Sequence, residues 1–532
     1  MAKYLIAVGG TGMRCLESFV HLCAIGMMDN EEINVLIIDT DFAGGNKNQT
    51  TNLIDAYRKV KSINGTNGTP LKDSFFSAVI NLYKFIPTYK SPTNTFNRIR
   101  TQNKSTNATV NAQNDDLADL FFEDDTQDFD LEHGYRAQTH LGSYLMYNDI
   151  IDEIKNTQRG DGIGANNKDD LTAFIELLGI DSDAKVFILG SIFGGTGASS
   201  IPVIPQALRE ASKVLGVALT DIKFGSTLLS EYFTFNNPDD GKMSKDKIIA
   251  KANAFRLNSQ AALMYYNNSH TVKEDYQYFY MIGWPETAID YGEVVTGGSG
   301  QLNPAHVVEL TSAFAAYHFF DSDNNYDKKI HEWQFRTFER DSTGNNLKFD
   351  FADFIGDAKA DKFKLKLAAF FSMNLMLNNE FYKIDSKKAF LEFYNVINQG
   401  RITGDVTSEE SEALDNYIKY FSFYYNHLDE NVHTGWLFQV RKSTNAASFL
   451  FEEESFSENY KQLKGIEWGN ILPKHHFAKP NFAERAIGRR VSFNTFTEAM
   501  KNNSGKVNFV SIAKTNEKLL KWMYETYKEL FK

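Results

Sequence analysis

Ser191-Ile-Phe-Gly-Gly-Thr-Gly-Ala-Ser-Ser-Ile-Pro-Val-Ile-Pro205 follows an apolar run, Lys185-Val-Phe-Ile-Leu-Gly190, and leads into a helical pattern, Pro205-Gln-Ala-Leu-Arg-Glu-Ala-Ser-Lys-Val-Leu215. A buried strand, a glycine-rich turn and a helix start present backbone N–H groups and a positive helix end to phosphate. Gly194, Gly195 and Gly197 carry no Cβ, so the backbone there is free to take positive φ and approach an anion closely. Thr196, Ser199 and Ser200 add hydroxyls at the helix entrance, beside orphan N–H groups. An ordinary βα turn that happens to be rich in glycine is the competing reading.

The start of the chain repeats the arrangement. Lys3-Tyr-Leu-Ile-Ala-Val8 reads as a strand, Gly9-Gly-Thr-Gly12 as a second phosphate-type turn, and Cys15, Leu16, Phe19, Val20 and Cys23 share one helical face. Ile33-Asn-Val-Leu-Ile-Ile38 is a second strand, ending in Asp39-Thr-Asp41. A dinucleotide-binding Rossmann unit wants G-x-G-x-x-G/A. Gly10 and Gly12 supply the first pair, but Cys15 stands where the third small residue belongs. Gly134-Tyr-Arg-Ala-Gln-Thr-His-Leu-Gly142 is a third small-residue loop, in which Arg136 is a candidate phosphate-binding or structural guanidinium.

Composition bounds the rest. At 532 residues the chain exceeds one ordinary core, and 42% hydrophobic content supports two or more domains. A formal charge of −12 argues against a general nucleic-acid binder. Cys15 and Cys23 lie on one expected helix at a spacing that suits neither a disulfide nor a metal site, which fits a reducing compartment. The chain opens on a strand with no charged-then-apolar leader, and no apolar run reaches the roughly 18 residues that span a bilayer. These features predict a soluble cytoplasmic protein with no direct nucleic-acid or membrane partner.

Residues 43–130 read as a long polar insertion. Phe75, Phe76, Val79, Ile80, Leu82 and Tyr83 have helical spacing, and 91–130 looks solvated, partly mobile and acidic through Asp115, Asp116, Glu123, Asp124 and Asp125. Further strands are expected at Ile222–Leu229 and Tyr278–Gly283, and helices at Lys245–Tyr266 and from Pro304 onward. Beyond residue 320, helices are expected at Lys362–Tyr382, Ala413–His427 and Leu519–Phe531, and strands at Val491–Phe496 and Val507–Ile512. Aromatic stripes in this part read as core.

Three phosphate-type loops are too many for one Rossmann site. Their order resembles the tubulin/FtsZ superfamily, prokaryotic tubulin-like proteins in particular. Gly194-Gly-Thr-Gly197 coincides with the core of the tubulin signature, and Pro202-Val-Ile204 continues it as in FtsZ. The resemblance covers about residues 1–320. It implies a Rossmann-like parallel-sheet α/β domain over 1–270, a connecting strand, inserted loop and helix over 271–320, and an α+β domain with a terminal helix over 321–532. It also implies GTP/GDP and Mg²⁺ as ligands. The nucleotide set carried over is Gly9, Gly10, Thr11, Gly12, Asp41, Arg136, Gly142, Gly194, Gly195, Thr196, Gly197, Ala198, Ser199 and Asn253, the last as the residue that reads guanine or ribose. Gly300-Gln-Leu-Asn303 resembles the loop that one subunit inserts into its neighbour's nucleotide site.

The departures are specific. Phe193 and Ser199 replace glycines at the ends of the signature, and Ala305 and Val308 stand where the inserted loop's acids belong. Asn303, His306 and Glu309 remain as candidates for orienting water on the γ-phosphate. The strand at 278–283 also falls between the Asn253 helix and the Asn303 loop, where tubulin has one long central helix. What the resemblance implies is a GTPase assembling head-to-tail into filaments, because a heterologous contact that does not close makes a filament. A poorly hydrolysing or non-polymerising GTP switch acting as a dimer or scaffold is the alternative, followed by a dinucleotide-dependent oxidoreductase. The C-terminal domain is a candidate surface for a protein partner.

Overall fold

Apolar runs without alternation make strands that are buried on both faces, and these require helices above and below the sheet. β1 (Lys3–Val8), β2 (Glu32–Ile38), β4 (Lys185–Leu189) and β5 (Lys223–Leu229) are such runs; β3 (Val79–Phe85), β6 (Phe233–Asn236), β7 (Tyr276–Gly283), β8 (Ile289–Glu293) and β9 (Lys329–Gln334) complete the strands. The computed structural model describes residues 3–41, 43–64, 71–159, 169–236, 252–284, 289–293, 298–300, 305–322, 329–334, 351–377, 407–425 and 499–530, less 508, 510, 511 and 513.

Among the described residues, one all-parallel sheet has the order β3-β2-β1-β4-β5-β7-β9, and β6 and β8 form a separate parallel pair. Leu5 of β1 lies in register with Val35 of β2 on one side and Phe187 of β4 on the other. The strand order reverses between β1 and β4. In open α/β sheets that switch point, at the carboxyl ends of the strands, is where ligands bind.

The helices in chain order are α1 (Gly9–Ala24), α2 (Gly45–Asn64), α3 (Phe96–Gln102), α4 (Ala108–Phe121), α5 (Asp124–Asp128), α6 (Thr139–Arg159), α7 (Asp170–Ile180), α8 (Thr196–Ser200), α9 (Ile204–Leu215), α10 (Phe255–Asn268), α11 (His270–Asp275), α12 (Val307–Asp321), α13 (Ala352–Ile355), α14 (Asp357–Leu377), α15 (Ser408–Tyr425) and α16 (Thr515–Leu530). α1, α2 and α12 cover one face of the sheet, and residues of α13–α16 join the same apolar cluster. α6, α7, α9, α10 and α11 cover the other. α12 is buried along nearly its whole length, so it is the central helix of the first face. None of the described helices is long and apolar enough to cross a membrane.

Several expectations change. Residues 75–83 do not form a helix: Val79–Phe85 is strand β3, paired with β2 from Glu32↔Val79 to Ile38↔Phe85. The polar stretch 43–130 is therefore no plain insertion, since α2 and β3 build one flank of the sheet. Its later part is ordered into α3–α5, with Phe96, Ala118 and Phe129 buried. The helix expected from Lys245 begins at Phe255, after a 3₁₀ turn at Ala252–Ala254, and residues 245–251 lie outside the described residues. The helix expected from Pro304 begins at Val307, and Pro304 is likewise outside. β7 and β9 extend the one sheet past the boundaries expected at 270 and 320. The strand expected at 491–496 falls outside the described residues, and the described residues of 507–512 are not strand.

Candidate functional site

The loops after β1, β2 and β4 meet at the switch point. Gly9 has φ of +66°, so the chain turns out of β1 directly into α1 through a conformation that side chains with a Cβ rarely adopt. A Cβ there would lie 3.2 Å from the Thr196 Cβ, which places the first loop against the fourth strand's loop. The Thr40 and Thr196 hydroxyls are 3.3 Å apart, bringing in the loop after β2. A Cβ on Gly134 would meet both hydroxyls, at 3.3 and 3.7 Å.

Gly195 is the tightest crossing. A Cβ there would lie 2.8 Å from the backbone nitrogen of Ala137 and 3.1 Å from that of Arg136. Arg136 and Ala137 themselves have φ of +44° and +65°, two consecutive left-handed residues that are not glycine. Such conformations persist only where the surroundings hold them, and they concentrate at ligand clamps. Gly142 packs on Tyr135 and Ser199, and the Ser143 hydroxyl donates to the Ser199 carbonyl at 2.7 Å. The Tyr266 hydroxyl donates to the Ala198 carbonyl at 2.7 Å. Gly10, Thr11, Gly194, Gly195, Thr196, Arg136 and Ala137 are half-exposed, while Gly12, Gly197, Ala198 and Ser199 below them are buried. The first group lies at the surface and the second beneath it. The first turn of α1 holds no acid, and no side chain caps its N-cap residue, Val8. Its positive end therefore favours an anion.

Acidic groups line the β2 side. Burial, reinforced by nearby Asp41, pushes the Asp39 carboxyl up to about 7, against the backbone N–H of Asp41 and the Lys47 ammonium. Asp41 accepts from Ala43 N–H at 3.1 Å and from Gly298 N–H at 2.6 Å, and Gly298 accepts from Gly45 N–H at 3.0 Å. Lys47 Nζ donates to the Asp41 carbonyl at 2.8 Å, and burial lowers its pKa. Both Asp41 carboxylate oxygens are thereby engaged by backbone donors.

The glycine-loop residues singled out from the sequence lie together at the strand ends, whereas Asn253 lies on a separate 3₁₀ turn. Asn253 is exposed in its 3₁₀ turn, whereas Asn258, one helical turn into α10, donates to the Phe193 carbonyl at 3.3 Å. The α10 start is anchored by Phe255 against Phe193, with ring centroids 4.9 Å apart. Thr40 and Lys47, which flank Asp41 in sequence, were not singled out; only the meeting of loops brings them to Thr196 and the Asp41 carbonyl.

Of the three water-orienting candidates, two are placed in the core. Asn303 lies outside the described residues. His306 and Glu309 are both 0% exposed and form the capping box of α12. One Glu309 oxygen takes Arg14 Nε at 2.5 Å and the Tyr232 hydroxyl at 2.8 Å; the other takes the His306 N–H at 3.0 Å. His306 Nδ1 accepts from Val308 N–H at 3.1 Å, and burial holds its pKa well below the usual histidine range. Neither side chain is exposed; Glu309 ties α12 to Arg14 of α1, and His306 caps α12 itself. Gly298, just before the Gly300–Asn303 stretch, donates to Asp41 of the same chain, and residues 301–304 lie outside the described residues. Arg14, Glu17 and His21 form a buried polar stripe on α1 that faces Glu309, Thr50 and Tyr417 in turn. Their i, i+3, i+7 spacing was visible; the partners were not.

No family model matches this chain, and no curated protein matches it. Among solved structures it is similar to CetZ2 from Haloferax volcanii, seen as a GTPγS-bound protofilament, at 14% identity and a TM-score of 0.24. That match covers 61% of this chain and 61% of the CetZ2 chain.

Proposed function

We propose that this chain binds a guanine nucleotide in the manner of the tubulin/FtsZ superfamily, with its phosphates in the cleft where the Gly9, Asp41, Gly134 and Gly194 loops meet. The observation that carries the reading is the crossing of Gly195 on the Arg136 and Ala137 backbone at the sheet's switch point. A dinucleotide enzyme needs one glycine-rich turn there; three converging small-residue loops, one carrying a guanidinium, suit a polyphosphate better. Mg²⁺ would enter with the phosphates, beside Asp41.

Self-association into filaments is the second part of the proposal, and it rests on the motif order alone. The burial of Glu309 and His306 favours a variant of it: a GTP-binding switch or scaffold that hydrolyses slowly, because the nearest candidate water-orienting groups are committed to the core. The test is calorimetric titration of nucleotide-free protein with GTP, with NAD as contrast, followed by light scattering with GTP and Mg²⁺. GTP binding with a scattering rise supports the filament reading, and GTP binding without it supports the switch. NAD binding without GTP binding would overturn both.

A further inference from the structure

Helix α4 carries its apolar residues on the wrong side for folding. Of its 14 residues only Ala118 is buried. Leu117, Leu120 and Phe121 are 50%, 75% and 66% exposed, and Val110 is 39% exposed. The body-facing stripe is polar: Asp115 pairs with Arg100 and Lys104 at 3.5 and 3.1 Å, and Asp119 with Arg100 at 3.2 Å. The opposite stripe runs Val110, Gln113, Leu117, Leu120, a seam at a/d spacing over two heptads with Phe121 beside it. Among the described residues nothing covers that seam, and exposed apolar surface rimmed by charge marks a contact with another molecule.

We propose that this seam docks a basic amphipathic helix of a partner protein. In heptad terms Asp116 takes the g position, where charge selects the partner, and it is exposed. Glu123, Asp124 and Asp125 follow at the helix's C-terminal end, are exposed, and add to the negative end of the helix dipole. The complementary surface is an apolar a/d stripe flanked by Lys or Arg. A second copy of this chain is disfavoured, since an antiparallel pair would set Asp116 beside its own mate in a chain of net charge −12. An anionic bilayer is disfavoured by the same charges. The seam has a route to the candidate nucleotide cleft: Phe122, which ends α4, stacks on His140 of the 134–142 loop at 5.4 Å and 29°.

The test is fluorescence anisotropy on the full chain with a labelled synthetic helix as long as α4, bearing Leu at a and d and Lys at e and g. A scrambled peptide of equal composition is the control. The expected result is saturable binding of the patterned probe only. It should weaken at least about tenfold in Leu117→Asn/Leu120→Asn, whose circular dichroism melt stays that of the parent. Asp116→Lys should weaken the Lys probe and strengthen a Glu-flanked one. Equal binding of the scrambled peptide, or no effect of the Leu changes, would overturn the proposal. So would a sedimenting dimer that Leu120→Asn dissolves, or binding of the seam to anionic vesicles.

Discussion

Glu309→Gln removes one charge from the core and leaves its shape unchanged. The carboxylate receives donors at both oxygens, Arg14 and Tyr232 on one and the His306 backbone on the other. A carboxamide must turn its NH₂ toward one of these donors whichever way it is set, and the loss of a bond to a buried donor costs about 1–3 kcal/mol. The Arg14 guanidinium, 2% exposed, loses the Glu309 charge beside it. Breaking a buried pair from one side costs about 3–5 kcal/mol in total, that lost bond included. With a urea slope near 3 kcal/mol/M, the midpoint should fall by about 1 M or more. The assay is urea unfolding followed by circular dichroism and tryptophan emission, beside single-turnover GTP hydrolysis in native buffer. Arg14→Met/Glu309→Leu, which removes both charges, should recover most of the loss, because replacing a buried pair by apolar groups is often neutral. A Glu309→Gln protein that melts like the parent yet loses hydrolysis would refute this reasoning and return Glu309 to the reacting water.

Three further outcomes are expected. Gly195→Ala places its Cβ 2.8 Å from the Ala137 nitrogen, where ordinary contact begins at 3.4 Å. The two loops must part, costing about 1–3 kcal/mol of stability and about tenfold in GTP affinity by calorimetry, and unchanged affinity would separate these loops from the site. Asp39 has a folded pKa of about 7 against an ordinary 3.8, so the native state binds the extra proton between those values. Its contribution to stability therefore falls as pH rises through that window, by at most about 1.4 kcal/mol per pH unit. Asp39→Asn should gain on the parent between about pH 5 and pH 8 in paired urea melts, and a constant difference would contradict it. Lys61 Nζ donates to the carbonyls of Leu71, Phe76 and Ser77 at 3.1, 3.2 and 2.7 Å. Lys61→Met leaves these carbonyls unpaired and should cost at least about 2 kcal/mol, read as faster amide hydrogen exchange in β3.

The elements that the sequence announced are those whose physics is local. β1, β2, β4, β5 and β7 are apolar runs, and Gly9, Gly134 and Gly194 interrupt the chain where the backbone must turn tightly. That is enough to predict a parallel α/β sheet and to name most residues of one cleft. β3 was hidden because Phe75 to Tyr83 satisfies a helical spacing as well as a strand's, and only pairing with β2 arbitrates.

What the tertiary structure alone decided is where each polar group ends up. The spacing of His306 and Glu309 is that of a capping box and equally that of a catalytic pair. Arg14, nearly 300 residues earlier, makes it the former by supplying the buried counter-charge. Asn253 and Asn258 are equally legible as asparagines near one helix start, and the packing of Phe255 on Phe193 brings Asn258 to the Phe193 carbonyl while Asn253 stays exposed. The apolar residues of α4 are ordinary as a string and become a docking seam only when its other side meets Arg100. Periodicity belongs to a segment and can be read from it; burial and pairing belong to contacts between distant segments, which a single sequence does not display.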